Sequence, residues 1–240
     1  MKYAIIAAGE GSRLASEGIK QPKPLVKING EALIDRLIRI FGNNGATDIH
    51  IICNSEMKDV SNHLQQLKQR MMEELHVPIH YIIKSTPSSM HSFHELSKFL
   101  NNDPFILTTV DTIFDENEFA SYVSTFKQAC NEGVDALMGV TTFIDDEKPL
   151  YVGVEEDNKI KGFFDTQENN CEYVSAGVYG LTPHTIETLI RCVESGNSRM
   201  RNFQRALLQD GWKVRAYPFS KVLDIDHAND IIKAEKFLKK

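Results

Sequence analysis

Cysteine is scarce in this chain, and what there is does not cluster. Cys53, Cys130, Cys171 and Cys192 are the only four, no two closer than 21 positions, with no CxxC pair and no Cys/His spacing of a metal site. A disulfide framework and a zinc ribbon are thereby excluded, and reduced, mostly buried thiols are expected. Positive charge is also in deficit: 27 Lys and Arg face 33 Asp and Glu, a net charge of -6. That balance excludes a general nucleic-acid surface and an anionic-membrane surface, so any anion must be held by a local site. No apolar run approaches the roughly 18 residues that span a bilayer, and Ala4 to Ala8 is shorter than the roughly 7 residues of a signal-peptide core. The expected location is therefore cytoplasmic, with no membrane partner.

Internal repeats, low-complexity tracts and Pro/Ser-rich linkers are absent as well, which argues against two independently folding units. We expect one domain over 1–240. With 42% hydrophobic and 25% charged residues, the chain has the balance of an ordinary globular protein able to bury a sizeable core.

Tyr3 to Ala8 is a short apolar run ended by Gly9, as a buried parallel strand feeding a loop should be. Leu33, Leu37 and Ile40 then fall at helical spacing, Gly42 to Gly45 stop the helix, and Asp48 to Cys53 reads as the next strand. This is a βαβ unit, hence right-handed and parallel. Met57, Val60, Leu64, Leu67, Met71 and Leu75 mark an amphipathic helix over 56–75. Strands are predicted at 77–84 and 105–109, with a helix over 88–100 between them. From about 134 the rhythm changes to short strands at 134–143, 151–154 and 159–164, suggesting an antiparallel or mixed substrate-binding insertion over about 134–182. A strand at 173–181, helices at 183–193 and 202–210, strands at 214–218 and 222–225 and a last helix over 228–239 complete the pattern.

The segment Gly9-Glu10-Gly11-Ser12-Arg13 directly follows the first strand, where a turn can offer consecutive backbone N–H groups to an anion. A dinucleotide fingerprint would need glycine where Leu14 stands, and a P-loop would need GK[ST]; neither is present. Lys23, in Pro22-Lys23-Pro24-Leu25, follows ten residues after Arg13. A guanidinium that binds phosphate bidentately and an ammonium that acts as a point charge make a phosphate clamp. The alternative for such a loop is a plain turn with two solvated cations.

Ala7-Ala8-Gly9-Glu10-Gly11-Ser12-Arg13-Leu14 followed by Pro22-Lys23-Pro24-Leu25 resembles the signature of the nucleotidyltransferase superfamily, which includes sugar-1-phosphate nucleotidylyltransferases and phosphocholine cytidylyltransferases. The resemblance implies a Rossmann-like α/β fold of the GT-A type, a three-layer α/β/α sandwich with a mixed central sheet and a small antiparallel insertion. It implies transfer of a nucleoside monophosphate from a nucleoside triphosphate to a phosphorylated small molecule, with Mg²⁺ and release of pyrophosphate. Ala7, Ala8, Gly9, Gly11, Ser12, Arg13, Lys23 and Ser88 would contact the nucleotide, Arg13 and Lys23 holding its phosphates. Asp111, after a central strand, and Asp224 or Asp226, near the C-terminus, would bind the metal. The Ala-Ala-Gly opening resembles pyrimidine-using members, favouring CTP or UTP.

Charge arithmetic supports a cation. Asp111 and Asp224 are both expected at the carboxyl ends of parallel-type strands, where open α/β sheets put ligands. Two bare carboxylates about 4 Å apart would repel by roughly 4 kcal/mol at an effective dielectric near 20, and oxygen ligands with phosphate favour Mg²⁺. Asp224 is preferred over Asp226, which could instead cap the helix beginning at Ala228.

For the acceptor, sugar-phosphate members usually carry Gly in a strand, a Glu-Lys-Pro, and an acidic residue before an Asn-x-Gly turn. Gly153, Glu172 and Gly177 fit, but Phe163-Phe164-Asp165-Thr166 stands at the Glu-Lys-Pro position and lacks its lysine. Ser88-Ser89-Met90-His91-Ser92-Phe93 instead resembles a segment of phosphocholine cytidylyltransferases. There Asp165 beside Phe163, Phe164 and Tyr173 could hold a quaternary amine, or the aromatics could be core. A sugar-1-phosphate is placed slightly ahead of phosphocholine or another phospho-alcohol. His91, His94 and Glu95 could suggest zinc, but no third ligand position is evident. A related glycosyltransferase and a nucleotide-sensing module are the competing classes, and a homo-oligomer is compatible with this reading.

Overall fold

In the computed structural model, which describes residues 1–167 and 171–239, the first strand alone explains why helices cover both sides of the sheet. Tyr3, Ile5 and Ala7 face one core, whereas Ala4, Ile6 and Ala8 face another, the two-residue period of a strand buried on both faces.

The elements in order are β1 (Lys2–Ala7), α1 (Ser12–Ser16), a 3₁₀ turn (Lys23–Leu25), β2 (Lys27–Ile28), β3 (Glu31–Ala32), α2 (Leu33–Asn43), β4 (Asp48–Cys53), α3 (Lys58–Leu75), β5 (Ile79–Ile83) and α4 (Ser89–Ser97). After these come β6 (Phe105–Thr109), β7 (Thr112–Phe114), α5 (Glu116–Asn131), β8 (Ala136–Thr141), β9 (Tyr151–Val154), β10 (Ile160–Phe164) and β11 (Tyr173–Leu181). The chain closes with α6 (Thr185–Glu194), α7 (Met200–Gln209), β12 (Val214–Phe219), β13 (Val222–Asp224) and α8 (Ala228–Phe237).

The main sheet runs β10-β9-β11-β6-β1-β4-β5, with β8 bonded to β11 and β12 beside β8. Pairings β6·β1, β1·β4 and β4·β5 are parallel, and β11 joins β6 antiparallel, so the sheet is mixed. Helices α2, α3 and α5 contribute Leu37, Leu64 and Phe119 to one core; α4, α6 and α7 contribute Phe93, Leu189 and Phe203 to the other. That is the three-layer arrangement expected. Strands in the 134–182 stretch pair antiparallel with one another, β8 also pairing parallel with β12, and they are hydrogen-bonded into the main sheet. Residues 168–170 of that stretch lie outside the described residues.

Two features differ from the sequence reading. The stretch between Asp111 and Val134, left unassigned there, contains α5. Asp115 caps it by accepting the backbone N–H groups of Asn117 and Glu118, and Phe119, Tyr122, Val123 and Phe126 form its buried stripe. Strand β13 is not part of the main sheet; it pairs antiparallel with β7 in a separate ribbon. Asp224 therefore comes off a two-stranded ribbon, not a parallel strand. Among the described residues no helix is long and apolar enough to cross a membrane.

Close packing makes one glycine irreplaceable by size alone. A methyl added at Gly180 of β11 would lie 2.7 Å from a ring carbon of Phe126 and 2.9 Å from the hydroxyl of Tyr122, which itself donates to the Leu137 carbonyl. Gly180→Ala is expected to lower unfolding stability by about 1–3 kcal/mol, measured by urea denaturation; an unchanged midpoint would contradict this packing.

His50 on β4 stands opposite His80 on β5, their rings stacked at 5.1 Å, with the Phe99 ring 5.7 Å from His50. Burial first, and the neighbouring His80 second, push the His50 imidazole down to about 4. The neutral form is favoured in the folded state, so its contribution to stability is complete above the unfolded value near 6.5 and is lost as pH falls toward 4. His50→Phe, which keeps a ring in the stack, should flatten the fall in Tm between pH 6.5 and 4; parallel curves for the two proteins would refute the assignment.

Candidate functional site

Parallel strands place their carboxyl ends at one edge of the sheet, and here β1, β4, β5 and β6 all end there. The residues that follow them are Ala8 to Gly11, Asn54, Ser85 to Ser89 and Asp111. Together they line a cavity of about 540 Å³. Asn54 ties these ends together. Its side-chain amide donates to the Ala8 carbonyl at 3.3 Å, while its oxygen accepts from the Ser85 hydroxyl at 2.7 Å and the Glu56 N–H at 2.9 Å. Ser88 caps α4, accepting the N–H of His91 and pairing with its Nδ1 at 2.8 Å.

The glycine loop passes directly over Lys23. Gly11 has φ +64° and a Cβ there would sit 3.2 Å from Cβ of Lys23, so a left-handed, side-chain-free residue lets the Pro22 to Leu25 segment pack beneath the loop. Lys23 is consequently buried, 8% exposed. Its Nζ donates to Asp111 and, at 2.7 Å, to Asp226. Burial alone would lower the Lys23 ammonium, but the two carboxylates outweigh it and hold it well above the ordinary lysine range.

Pairing in the β7/β13 ribbon aligns Asp224 with Thr112, and the Ile225 N–H donates to the Asp111 carbonyl at 3.1 Å. Residues more than 110 positions apart thus bring Asp111, Asp224 and Asp226 around one ammonium. Asp224 is exposed to solvent at its tip, yet the crowding of protein around it raises its carboxyl above the ordinary carboxylate range; the charges of Asp111 and Asp226 add to the shift, and Lys23 opposes it. Behind the ribbon, Gly177 at φ +69° bulges β11, and its carbonyl accepts from the Thr108 hydroxyl at 3.0 Å.

Helix α1 is bound to the start of α8 by charge. Arg13 pairs with Asp226 at 2.9 Å, Glu17 accepts the Ala228 N–H at 2.6 Å, and its other oxygen meets His227 Nδ1 at 2.6 Å. The hydrogen bond to Glu17 raises the His227 imidazole above its usual value. His227 and Asp230 form the capping box of α8, so Asp226 is not the cap that the sequence left open.

A second cavity, of about 460 Å³, opens on the other side of these carboxylates. It is lined by Arg13, Asp224 and Asp226, by Thr141 to Glu147 in part, by Ser175 and Ala176 of β11, and by the start of α8. Ala8, Gly9, Gly11, Lys23, Ser88 and Asp111 thus line the first cavity, Arg13, Asp224 and Asp226 the second, and Ala7 and Ser12 neither.

The acceptor residues fall elsewhere. Asp165 pairs with Arg201 and with Arg205 at 2.8 Å in a third cavity, Phe163 is core, and the amine cage considered from the sequence does not form because two guanidinium groups already neutralise that carboxylate. Gly153 lies in β9, where a Cβ would sit 3.0 Å from the exposed Lys161 side chain, and neither it nor the exposed Glu172 lines any of these cavities. Glu95 is occupied by Lys84 and Lys98 at the helix bearing His91 and His94. Among the described residues no group of three His, Cys, Asp or Glu side chains is arranged to hold a metal by itself.

Sequence reasoning missed Asn54, Glu17, His227 and Asp230. Asn54 had a signal, because it follows its strand in register with Ala8, and Asp230 had one in its capping-box spacing from His227; Glu17 and His227, joined across 210 positions, had none.

Among proteins of known activity, the mannose-1-phosphate guanylyltransferase catalytic subunit beta of Dictyostelium discoideum is 26% identical over 196 residues, 79% of this chain and 52% of that protein. The CMP-5'-(3-aminopropyl)phosphonate synthase of Streptomyces rubellomurinus is 23% identical over 120 residues, 48% of this chain and 18% of that protein. The chain therefore spans about half the length of the first relative and less than a fifth of the second. In fold it matches the inositol-1-phosphate CTP transferase of T. maritima with a TM-score of 0.77 at 19% identity, over 100% of this chain and 96% of that one. The nucleotidyl transferase family profile matches residues 2–240, and the chain belongs to that family.

Proposed function

We propose that the chain acts as one nucleotidyltransferase domain over 1–240. It would transfer a nucleoside monophosphate from a nucleoside triphosphate to the phosphoryl oxygen of a small acceptor, with release of pyrophosphate. The observation that carries this reading is the buried Lys23 ammonium held between Asp111 and Asp226 at the junction of two cavities. Two anionic substrates can enter from opposite sides and meet where cations and carboxylates are concentrated.

The cavity at the ends of the parallel strands is read as the nucleotide side. Its glycine loop lets a ligand backbone approach closely, and Ser88, Asn54 and the Ser85 to Thr86 segment offer polar groups to a base. A cytosine or uracil nucleotide is favoured by the Ala7-Ala8-Gly9 opening, and the CMP product in the name of the phosphonate synthase agrees with CTP.

Three carboxylates with one ammonium among them leave an excess of negative charge, reflected in the raised Asp224. Hard oxygen donors of this kind fit a divalent cation, Mg²⁺ by preference, with waters and substrate phosphate completing its shell. Asp111 with Asp224 or Asp226 would hold it together with substrate phosphate, and it would supply neutralisation of charge at the α-phosphate.

The remaining steps fall to the chain. An acceptor oxygen attacks the α-phosphorus in line, a new P–O bond forms, and the α–β bridging P–O bond breaks with its electron pair leaving on pyrophosphate. An ionised acceptor brings no proton to remove, so no general base is required. Lys23 offsets charge developing around phosphorus, and Arg13, which stands on Asp226 in the second cavity, would leave that pair to offset charge on the departing pyrophosphate.

Asp111→Asn is expected to lower kcat about 10²–10³-fold with the fold intact by circular dichroism, read as pyrophosphate release from CTP or UTP with Mg²⁺ and a panel of phosphorylated acceptors. Near-normal rates would overturn this reading, and nucleotide-sugar consumption without pyrophosphate would favour a glycosyltransferase.

Asp224→Asn separates stability from function. It removes a carboxylate repelled by its neighbours, so Tm at pH 7 should rise while kcat falls about 10²-fold or more. A lowered Tm would contradict the repulsion, and retained activity would contradict the role.

A further inference from the structure

Toward the amino ends of the parallel strands, away from the glycine loop, one buried nitrogen is left without a partner. His50 stands in β4 four residues before Asn54, about 13 Å along the strand, and lines none of the three cavities described above. It is 7% exposed, and its Nε2 is enclosed with no hydrogen-bond partner among the described residues. A buried nitrogen left bare is unfavourable, and a bound polar group relieves it.

His50 borders a fourth cavity, of about 310 Å³, beside β5, the last strand of the main sheet. Its ring is stacked with those of His80 and Phe99 at interplanar angles of 17° and 16°. Ile82 and Leu96 extend the apolar wall, and Phe99 is 47% exposed, so its ring is available to an incoming molecule. Flat walls of this kind suit a flat ring, and the volume suits a single one. Lys68 also lines the cavity, and no acidic residue does so among the described residues. An acidic group on the ligand therefore meets a cation with no carboxylate beside it in the same cavity.

Two imidazoles side by side suggest a metal first, but the geometry opposes one. The lone pair of a ring nitrogen lies in its own ring plane, and two nearly parallel stacked planes do not converge on one ion; Lys68 adds like charge. A lone water would gain one bond from His50, and the side chains of Ile82, Leu96 and Phe99 offer it no second. Burial and His80 keep the His50 imidazole neutral, so Nε2 carries either the ring's one proton or a bare lone pair. A hydroxyl serves both cases, because it donates and accepts.

We propose that this cavity binds a small aromatic molecule carrying a ring hydroxyl and an acidic group. The ring lies against Phe99 and the histidine pair, the hydroxyl meets Nε2 of His50, and the acid points toward Lys68. The site is separate from the proposed transferase site and stands or falls without it.

The probe is 4-hydroxybenzoate, titrated into the full chain and followed by ¹H–¹⁵N NMR, with benzoate, phenol and 4-hydroxycyclohexanecarboxylate as controls that lack the hydroxyl, the acid and the flat ring. The probe should shift the amide signals of His50, His80 and Phe99 and bind about 10-fold more tightly than benzoate or the saturated acid. In His50→Phe, which keeps a ring in the stack, the probe should bind no better than benzoate. In Lys68→Gln the probe and benzoate should weaken by the same factor, about 3-fold, with phenol unchanged. Absence of shifts at these residues, equal binding of the probe and benzoate by the wild-type chain, or undiminished affinity in a His50→Phe protein with the wild-type circular dichroism spectrum overturns the proposal. The wild-type comparison of the four ligands decides the matter even where the His50 variant fails to fold.

Discussion

A single buried ammonium organises this molecule's functional end. Lys23 is 8% exposed and reaches two carboxylates, one from the middle of the chain after β6 and one near its end just before α8. Truncating one partner of such a buried pair commonly costs about 3–5 kcal/mol because the other charge is left behind. The surrounding architecture serves that pairing. Gly11 makes room for the Lys23 segment, the β7/β13 ribbon holds Asp224 level with Thr112, and the Ile225 to Asp111 hydrogen bond fixes the two acidic segments to one another.

The same interaction explains why the site lies between two cavities and not at the bottom of one. The parallel strands, all running the same way, supply the wall of the first cavity from residues after β1, β4, β5 and β6. On the other side, β11 turns antiparallel beside β6 and bulges at Gly177, so its Ser175 and Ala176 line the second cavity. A sheet that remained parallel throughout would offer one crevice; reversing β11 gives a second wall and therefore a second cavity. Charge divides along the same line, with the glycine loop and Lys23 on one side and the densest carboxylates on the other.

Much of this was legible in the sequence, for identifiable physical reasons. Strand β1 is a continuous apolar run because both faces are buried, and the helices α2 and α3 carry 3.6-residue periodicity because only one face is. The Gly9 to Arg13 loop and Lys23 stand out by short-range spacing, and Asp111 by the family resemblance and its place after a strand. Helix α5 escaped notice because its cap and stripe lie within a run rich in Asn, Glu, Ser and Thr, and polarity there obscures the period. Asp165 misled because a carboxylate beside aromatic residues looks like a cation cage until Arg201 and Arg205, some 40 positions later, are found against it. Long-range ion pairs of this kind leave no local periodicity to read. The partnership of Glu17 with His227 and the Ala228 N–H was invisible for the same reason.

Those long-range pairs also set the terms on which an anion can bind. Arg13 lies in the five-residue helix α1 and Glu17, one turn on, caps its C-terminus, and both reach into the three residues Asp226, His227 and Ala228. The phosphate loop is thus held to the carboxylate wall mainly by exchangeable charges. A phosphate that engages Arg13 replaces Asp226 as its partner, so the binding gain is the difference between two charge pairs and not the worth of one. The backbone bond from Ala228 to Glu17 is outside that exchange and keeps α1 against α8 while it occurs. Rebalancing favours divalent charge near Asp224 and Asp226, because each cation drawn toward a phosphate leaves the three carboxylates less compensated. On the proposed function, anion binding at the loop and cation binding at the aspartates would be coupled by charge, through Arg13 and Lys23, with no need for a moving domain.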